Sequence, residues 1–338
     1  MLSLYYPEFE KLTLSDQPIP EIENDEVLVK VAACGICGSE LESFAHKSER
    51  RKPPRIMGHE FSGTIVRVGN QVKRFTVGMR VVSNSVVSCG SCVRCKRGQT
   101  NLCENRQVFG MHRNGAFAEY VNVPERCLIP MQDEVDFKSS CLSEPLANGV
   151  HMTQLCAGVE IDKVLVFGAG PIGLMAQQAF QAMKQAEVIV TDIKDERLVV
   201  AKKLGAGRVV NSANENLEEI ISDLTSGEGI SVVVDAVGME ATNRLGLKLL
   251  CPGGTLIMIG LHANSAPFLS YDIILTEKRI LGSYAATQQD MEISLDLITK
   301  KKVDVTSWVD YYPLSDGVNA FKGLLAADNK RIKTVIEI

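Results

Sequence analysis

Residues 164–192 read VLVFGAGPIGLMAQQAFQAMKQAEVIVTD, and this stretch decides how the second half of the 338-residue chain folds. Val164 to Phe167 have the length and composition of a strand buried on both faces. A glycine cluster follows, then a helical stretch from Ile172 to Lys184, then a second apolar strand, VIVTD. Strand, helix, strand in close succession is the unit that builds a parallel sheet, because parallel neighbours need a long crossover between them. The alternation continues outward: ERLVVAKKLGA reads as a helix, and VVVDAVG and GGTLIMIG read as further buried strands. The expectation is a doubly wound α/β domain over residues 149–284.

Inside that stretch Gly168, Gly170 and Gly173 form G-x-G-x-x-G, with Pro171 and Ile172 opening the helix. Glycine turns also serve purely structural purposes. The position of Asp192, nineteen residues beyond Gly173 at the end of the next strand, is what points to a dinucleotide. Backbone N–H groups and the helix N-terminus hold a pyrophosphate, while the aspartate accepts from ribose hydroxyls and repels a 2′-phosphate. NAD is therefore favoured over NADP, with Lys194 and Arg197 nearby. Val237, Ile259 and Leu261, at strand ends, are expected to flank the nicotinamide.

Ahead of this domain the rhythm differs. Residues 26–32, 63–68 and 80–87 are β-rich pieces punctuated by Gly and Pro, which suits a partly antiparallel, barrel-like domain over residues 1–148. One loop carries Cys89, Cys92, Cys95 and Cys103, and neither helix nor strand period explains four thiols in fifteen residues. A tetrahedral four-thiolate zinc site does, since two-residue gaps let neighbouring sulfurs reach one ion at roughly 2.3 Å. A redox cluster is the other use of such spacing. A closed zinc site has no open position, so it would shape a loop and leave the chemistry elsewhere. Cys34, Cys127, Cys141, Cys156 and Cys251 lie among apolar neighbours and read as small buried hydrophobes. Residues 285–338, with a helix near 289–300 and a final strand KTVIEI, are expected to return to the first domain.

The chain is 45% apolar and 23% charged, with a formal net charge of −5. That balance argues against nucleic acid or an anionic membrane as principal partner. Glu8 and Glu10 interrupt the N-terminal residues before any apolar leader develops, and no apolar run is long enough to span a bilayer. A cytoplasmic protein acting on a small molecule is expected.

Two more motifs carry chemistry: Cys37 lies in CGICGSE, and His59 with Glu60 in IMGHEFSG. Thiolate, imidazole and carboxylate are zinc donors. Together with Gly58, Gly63, Gly69 and Val72, the four-cysteine loop, NGAFAEY at 114–120 and the glycine turn that follows, they make the chain resemble the zinc-dependent medium-chain alcohol dehydrogenases over essentially its whole length. The resemblance implies a GroES-like, partly β-barrel catalytic domain joined to a Rossmann coenzyme domain, with two zinc ions per chain and NAD. It implies that Cys37 and His59 ligate the catalytic zinc, that Glu60 supplies a further ligand or exchanges with water, and that Glu144 in SEPLANGVH completes the set. A carboxylate there, followed by Pro-Leu, is similar to the polyol branch. Ser39 stands where the family has the hydroxyl that starts the proton relay. The implied reaction is oxidation of a secondary alcohol, a polyol or its phosphate, to the ketone. A threonine- or butanediol-type dehydrogenase is the alternative within the family, and a cofactor-binding protein without turnover the alternative outside it. Resemblance to bacterial members implies a homotetramer or a dimer.

The chain also departs from the family pattern. Glu40 replaces the usual Asp and is expected to orient His59. Glu42 replaces a common His, which leaves the far end of the relay open among Glu42, His46 and water. Tyr284 is followed by Ala285 and Ala286, where polyol dehydrogenases often carry Arg. Phe44 and Phe109 are candidates for the substrate pocket. The run HKSERRKPPR at 46–55 carries Lys47, Arg50, Arg51, Lys52 and Arg55, and reads either as a rim for a phosphorylated substrate or as a solvated loop.

Overall fold

The computed structural model describes residues 1–266, 268–326 and 330–338. The chain forms two compact units, residues 148–284 and residues 1–147 together with 285–338.

In the unit 148–284, six strands form a wholly parallel sheet: Lys163–Phe167, Glu187–Asp192, Arg208–Asn211, Ile230–Asp235, Leu250–Met258 and Arg279–Gly282. Their spatial order is third, second, first, fourth, fifth, sixth. Helices Pro171–Lys184, Asp195–Lys203, Leu217–Leu224 and Glu240–Leu249 make the first crossovers. Covering both faces explains the unbroken apolar runs: Val164, Leu165, Val166, Val232, Val233 and Val234 are all buried. The order reverses between the first and fourth strands, and ligands of such sheets sit there, beyond the carboxyl ends. Pro171 occupies the first helical position, where its missing N–H costs nothing. Gly168 turns the chain at φ +91°, and a Cβ on Gly173 would stand 1.7 Å from the Gly168 carbonyl oxygen. Helix and strand approach that closely only because Gly173 has no side chain.

The other unit is built around strand Glu26–Gly35, which pairs antiparallel with Glu60–Val68, Tyr120–Pro124 and Lys333–Glu337. Val309–Pro313 runs parallel to the last of these, so residues 285–338 supply two strands to this sheet. A smaller sheet joins Leu2–Glu8, Lys11–Asp16 and Arg55–Ile56. Val29, Val31, Phe61, Ile65, Phe117, Phe321 and Ile336 lie in its core.

Three expectations are corrected here. The segment 80–87 is two strands, Arg80–Ser83 and Val86–Val87, because Asn84 breaks the run: its Oδ1 accepts from the Val86 N–H (2.9 Å) and its amide donates to the Ala286 carbonyl (3.1 Å). Phe44 and Phe109, candidates for the substrate pocket, are core residues. Phe44 packs against Tyr6 and Phe321, and Phe109 is fully buried edge-on to Phe61, so apolar burial claims both rings. Cys251 is only half-buried, whereas Cys34, Cys127, Cys141 and Cys156 are buried. Among the described residues no helix is long and apolar enough to cross a membrane.

Replacing Gly173 by Ala should cost about 1–3 kcal/mol through overpacking. Urea denaturation of the variant against wild type checks this; equal midpoints would show that the turn relaxes freely.

Candidate active site and metal centres

The antiparallel register opposes Gly35 to Glu60 and Cys34 to Phe61. One strand therefore ends two residues before Cys37, and the other begins one residue after His59. Cys37 is the N-cap of helix Gly38–Ala45, on which Glu40 and Ser39 occupy the first turn. Lys333 opens the third strand of the same ladder. Donor atoms of Cys37, His59 and Glu60 all lie within 4.8 Å of one another. Gly35 gives the Glu60 carboxylate room: a Cβ there would stand 2.1 Å from Glu60 Oε2.

Glu40 organises this corner. Its Oε1 faces His59 Nδ1 (3.0 Å) and accepts from the Gly58 N–H (2.7 Å), while Oε2 accepts from the Cys37 N–H (3.1 Å). With Nδ1–H directed to Glu40, Nε2 presents its lone pair to a metal. Burial opposes the carboxylate's charge, but His59 and Arg51 outweigh it and hold Glu40 down at about 2. Burial likewise opposes a charged His59, yet Glu40 and Cys37 push the imidazole well up. Ser39 Oγ donates to Cys37 Sγ at 3.3 Å.

Glu144, in the first turn of helix Ser143–Leu155, is buried but stands outside the mutual 4.8 Å group. Burial raises its pKa; the His59 charge lowers it, Glu60 raises it, and a hydrogen bond from Ser85 lowers it. Cys37, His59 and Glu60 bring a thiol, an imidazole and a carboxylate within one coordination distance of each other, a donor set that fits zinc. Lys333, almost fully buried, is ion-paired to Glu60 and donates to the Ile36 carbonyl (2.8 Å). Sequence reasoning missed Lys333, since a lysine opening a terminal strand carries no motif.

The sulfurs of Cys89, Cys92, Cys95 and Cys103 form a second group within 4.8 Å, with separations of 3.5 Å (Cys92–Cys95), 3.9 Å (Cys89–Cys95) and 3.9 Å (Cys92–Cys103). Tetrahedral zinc with Zn–S near 2.3 Å requires sulfurs about 3.8 Å apart. N–H groups of Ser91 and Cys92 hold the Cys89 thiol down at about 5, while burial and its sulfur neighbours push Cys95 up to about 11. Four thiolates cannot coexist there without a cation between them, so zinc fits this group as well.

At the glycine turn, Asp192 Oδ2 accepts from the Ala169 N–H (2.8 Å), and Oδ1 accepts from Ile193 (2.8 Å) and Lys194 (2.9 Å). The aspartate thus shapes the turn, which sequence reading did not foresee. Gly170 caps the helix, followed by Pro171 and Ile172, and Arg197 Nη1 lies 3.8 Å from Asp192 Oδ2. Fully buried Asp235 accepts from the N–H groups of Val237 and Gly238 (both 2.8 Å), and its carbonyl accepts from Ile259 (3.1 Å) and Gly260 (2.9 Å). One residue therefore sets the two turns that carry Val237, Ile259 and Leu261. Leu261 is exposed and the other two half-buried. The relay candidates Glu42 and His46 are both exposed.

The pattern of the alcohol dehydrogenase GroES-like domain matches residues 23–133, and that of the zinc-binding dehydrogenases matches residues 171–300. The chain is 34% identical to D-arabitol-phosphate dehydrogenase of Enterococcus avium, over 98% of this chain and 95% of that protein. It is 30% identical to L-threonine 3-dehydrogenase of Shewanella loihica, over 98% of each. Galactitol-1-phosphate dehydrogenase from Escherichia coli has the same fold, with a TM-score of 0.93, 26% identity and full coverage of both chains. The chain belongs to the zinc-dependent medium-chain alcohol dehydrogenase family. It is an oxidoreductase that uses zinc and NAD to oxidise an alcohol.

Cys95→Ser should lower bound zinc from two ions per chain to one and destabilise the loop. Metal analysis of purified protein reads this directly, and an unchanged content of two would exclude the four-sulfur site.

Proposed function

We propose that the chain oxidises a secondary hydroxyl of a polyol, free or phosphorylated, to the ketone. The observation that carries the reading is the Glu40–His59 contact, which turns His59 Nε2 toward Cys37 and Glu60 in a chain that also has the Gly168–Asp192 turn. Residues 1–148 and 285–338 serve as the catalytic domain and residues 149–284 as the coenzyme domain. Cys37, His59 and Glu144 would hold the catalytic zinc, with Glu60, ion-paired to Lys333, as a further ligand or in exchange with water. Cys89, Cys92, Cys95 and Cys103 hold the structural zinc. When bound, the catalytic ion acts as a Lewis acid on the alcohol oxygen, and the nicotinamide takes up the hydride.

The protein's own groups do the rest. Ser39 Oγ, beside Cys37 Sγ, accepts the hydroxyl proton as it hands its own on toward solvent. Glu40 keeps His59 in one tautomer and one orientation. Gly168, Gly170, Pro171, Ile172 and Gly173 let the backbone approach a pyrophosphate, with Arg197 alongside. Asp192 favours NAD because a 2′-phosphate would meet its carboxylate. Val237, Ile259 and Leu261 give the nicotinamide apolar walls. The polyol reading draws on Glu144 and the Pro-Leu that follows, and on the similarity to a D-arabitol-phosphate dehydrogenase; the threonine dehydrogenase similarity makes an amino alcohol the second reading. All ten cysteines are free, which suits a reducing cytoplasm.

We further propose a homo-oligomer formed through the edge strand Arg279–Gly282. In the segment just before it, Leu269, Tyr271, Ile274 and Leu275 are 65–77% exposed, and the strand ends the order of the six-stranded sheet. Leu275→Glu should yield a smaller species by light scattering after size exclusion, and an unchanged mass would exclude this edge.

NADH production from pentitols, hexitols, their phosphates, butanediol and threonine, with chelator-treated controls, tests the reaction. Turnover should concentrate on polyols and vanish with chelator, and His59→Ala should abolish it while NADH binding persists. Threonine-only turnover would replace the polyol reading, and an active His59→Ala would refute the zinc assignment.

A further inference from the structure

In the basic run at 46–55, Lys47 pairs with Glu10 (2.8 Å) and Lys52 with Glu49 at the surface, whereas Arg51 turns inward to 1% exposure. Among the described residues no carboxylate lies within ion-pair distance of its guanidinium. Instead Nε donates to the Gly110 carbonyl (2.8 Å), and Nη1 donates to the Ser39 carbonyl (2.7 Å) and to Ser43 Oγ (3.1 Å). Burying a guanidinium without a counter-charge is unfavourable unless its hydrogen bonds are made, so the arginine and these three acceptors fix one another.

Both ends of this brace reach the catalytic corner. Ser39 stands in the first turn of helix Gly38–Ala45, just after the N-cap Cys37, and its Oγ lies 3.3 Å from Cys37 Sγ. That turn is open on the Gly38 side: Gly38 is exposed, and a Cβ on it would meet no atom within 4 Å. Phe44 anchors the helix a turn further on, among Tyr6 and Phe321. At the other end, Gly110 turns the chain at φ +68° and lies against the residue before His59, since a Cβ on it would stand 3.0 Å from the Gly58 nitrogen and 3.1 Å from Met57 Cα. The Gly110 N–H donates to the Arg113 carbonyl (2.8 Å), closing a turn at 108–113, and the N–H groups of Ala116 and Phe117 donate to the carbonyls of Gly58 and Met57 (both 2.9 Å). The 108–113 turn is thus fixed to the backbone that carries His59, and Arg51 ties the Ser39 turn to it.

We propose that Arg51 is a positioning residue for the oxidation: it braces the Ser39 turn against the Gly110 turn and so fixes the Ser39 hydroxyl relative to His59. Glu40 holds His59 and the N–H groups of Cys37 and Gly58, and among the described residues it makes no bond to Ser39. A proton passes between oxygens only over hydrogen-bond distance, and a misplacement of about 1 Å can cost about a hundredfold in rate. The inference rests on the reading of Ser39 as the group that accepts the substrate's proton, and adds the residue that holds it there. Because Ser39 Oγ also donates to Cys37 Sγ, its placement has a readout apart from turnover. A hydrogen bond to a thiolate lowers the sulfur's nucleophilicity.

The test compares zinc-replete wild type with Arg51→Met, Arg51→Lys, Ser39→Ala and the double variant Ser39→Ala/Arg51→Met. Three quantities are read: zinc per chain, the first-turnover rate of NADH formation from whichever alcohol of the panel is oxidised fastest, and the rate at which iodoacetamide alkylates Cys37, followed at the Cys37 peptide by mass spectrometry. Arg51→Met should keep both zinc ions and its KM for NAD while NADH formation slows about tenfold or more, and Arg51→Lys should restore part of the loss. Alkylation of Cys37 should speed up about fivefold in Arg51→Met as in Ser39→Ala, the effect of one lost hydrogen bond. The double variant should match Ser39→Ala in both rates. If Arg51→Met does not accumulate, Arg51→Lys is read against Ser39→Ala in the same way. Effects that add in the double variant, rates equal to wild type, or loss of a zinc ion from Arg51→Met would overturn the proposal, because the arginine would then act on the fold or the metal rather than on Ser39. Cys37 alkylation that responds to Arg51 only through Ser39, with no alcohol oxidised, would keep Arg51 as the support of Ser39 and refute the polyol reading.

Discussion

Strand Glu26–Gly35 is paired on both sides where it ends, and the corner that holds Cys37, His59 and Glu60 depends on that pairing. Backbone pairing of Glu26–Gly35 with Glu60–Val68 and with Lys333–Glu337 brings the residues just beyond those strands together. A one-residue slip would turn every side chain of a strand to its opposite face, so the buried valines that fix the register also fix where Cys37, His59 and Glu60 point. Gly35 leaves room for the Glu60 carboxylate and Lys333 beneath it. Removing either partner from such a buried ion pair costs roughly 3–5 kcal/mol, because the other charge stays behind unpaired.

The coenzyme unit applies the same economy to backbone donors. Asp192 and Asp235 end two strands of the sheet, and each accepts N–H groups from the turn that follows its strand; Asp192 also reaches the glycine turn after the neighbouring strand. Turns at the carboxyl edge of a parallel sheet have lost their ladder partners, and a carboxylate can satisfy two or three donors at once. The edge that must receive a dinucleotide is thus held in shape before the ligand arrives.

Charge is distributed just as unevenly in the other unit. Cys37, Glu40 and Glu60 gather around His59, while His112, in the turn at 108–113, feels the charges of Arg55, Arg106 and Arg51. Arg51 belongs to both regions: its hydrogen bonds hold the Ser39 backbone, and its charge acts on Glu40 and on His112.

The sequence by itself determined the parallel sheet, the glycine turn with Asp192 and the four-cysteine cluster, because each is written within a few residues or repeats with a strand or helix period; Cys37 and His59, twenty-two residues apart, were joined only by the resemblance to a family. Glu40 was legible from the same resemblance, as the acid that stands where the family has an Asp. Only the tertiary structure decided that Phe44 and Phe109 belong to the core, that Arg51 is buried, that Asp192 shapes its own turn, and that Lys333 reaches Glu60 from the last strand. Those outcomes depend on contacts between segments tens to hundreds of residues apart. Residue type does not encode such contacts, since an arginine in a basic run or a lysine at a strand start becomes buried only when distant backbone carbonyls and carboxylates are folded around it.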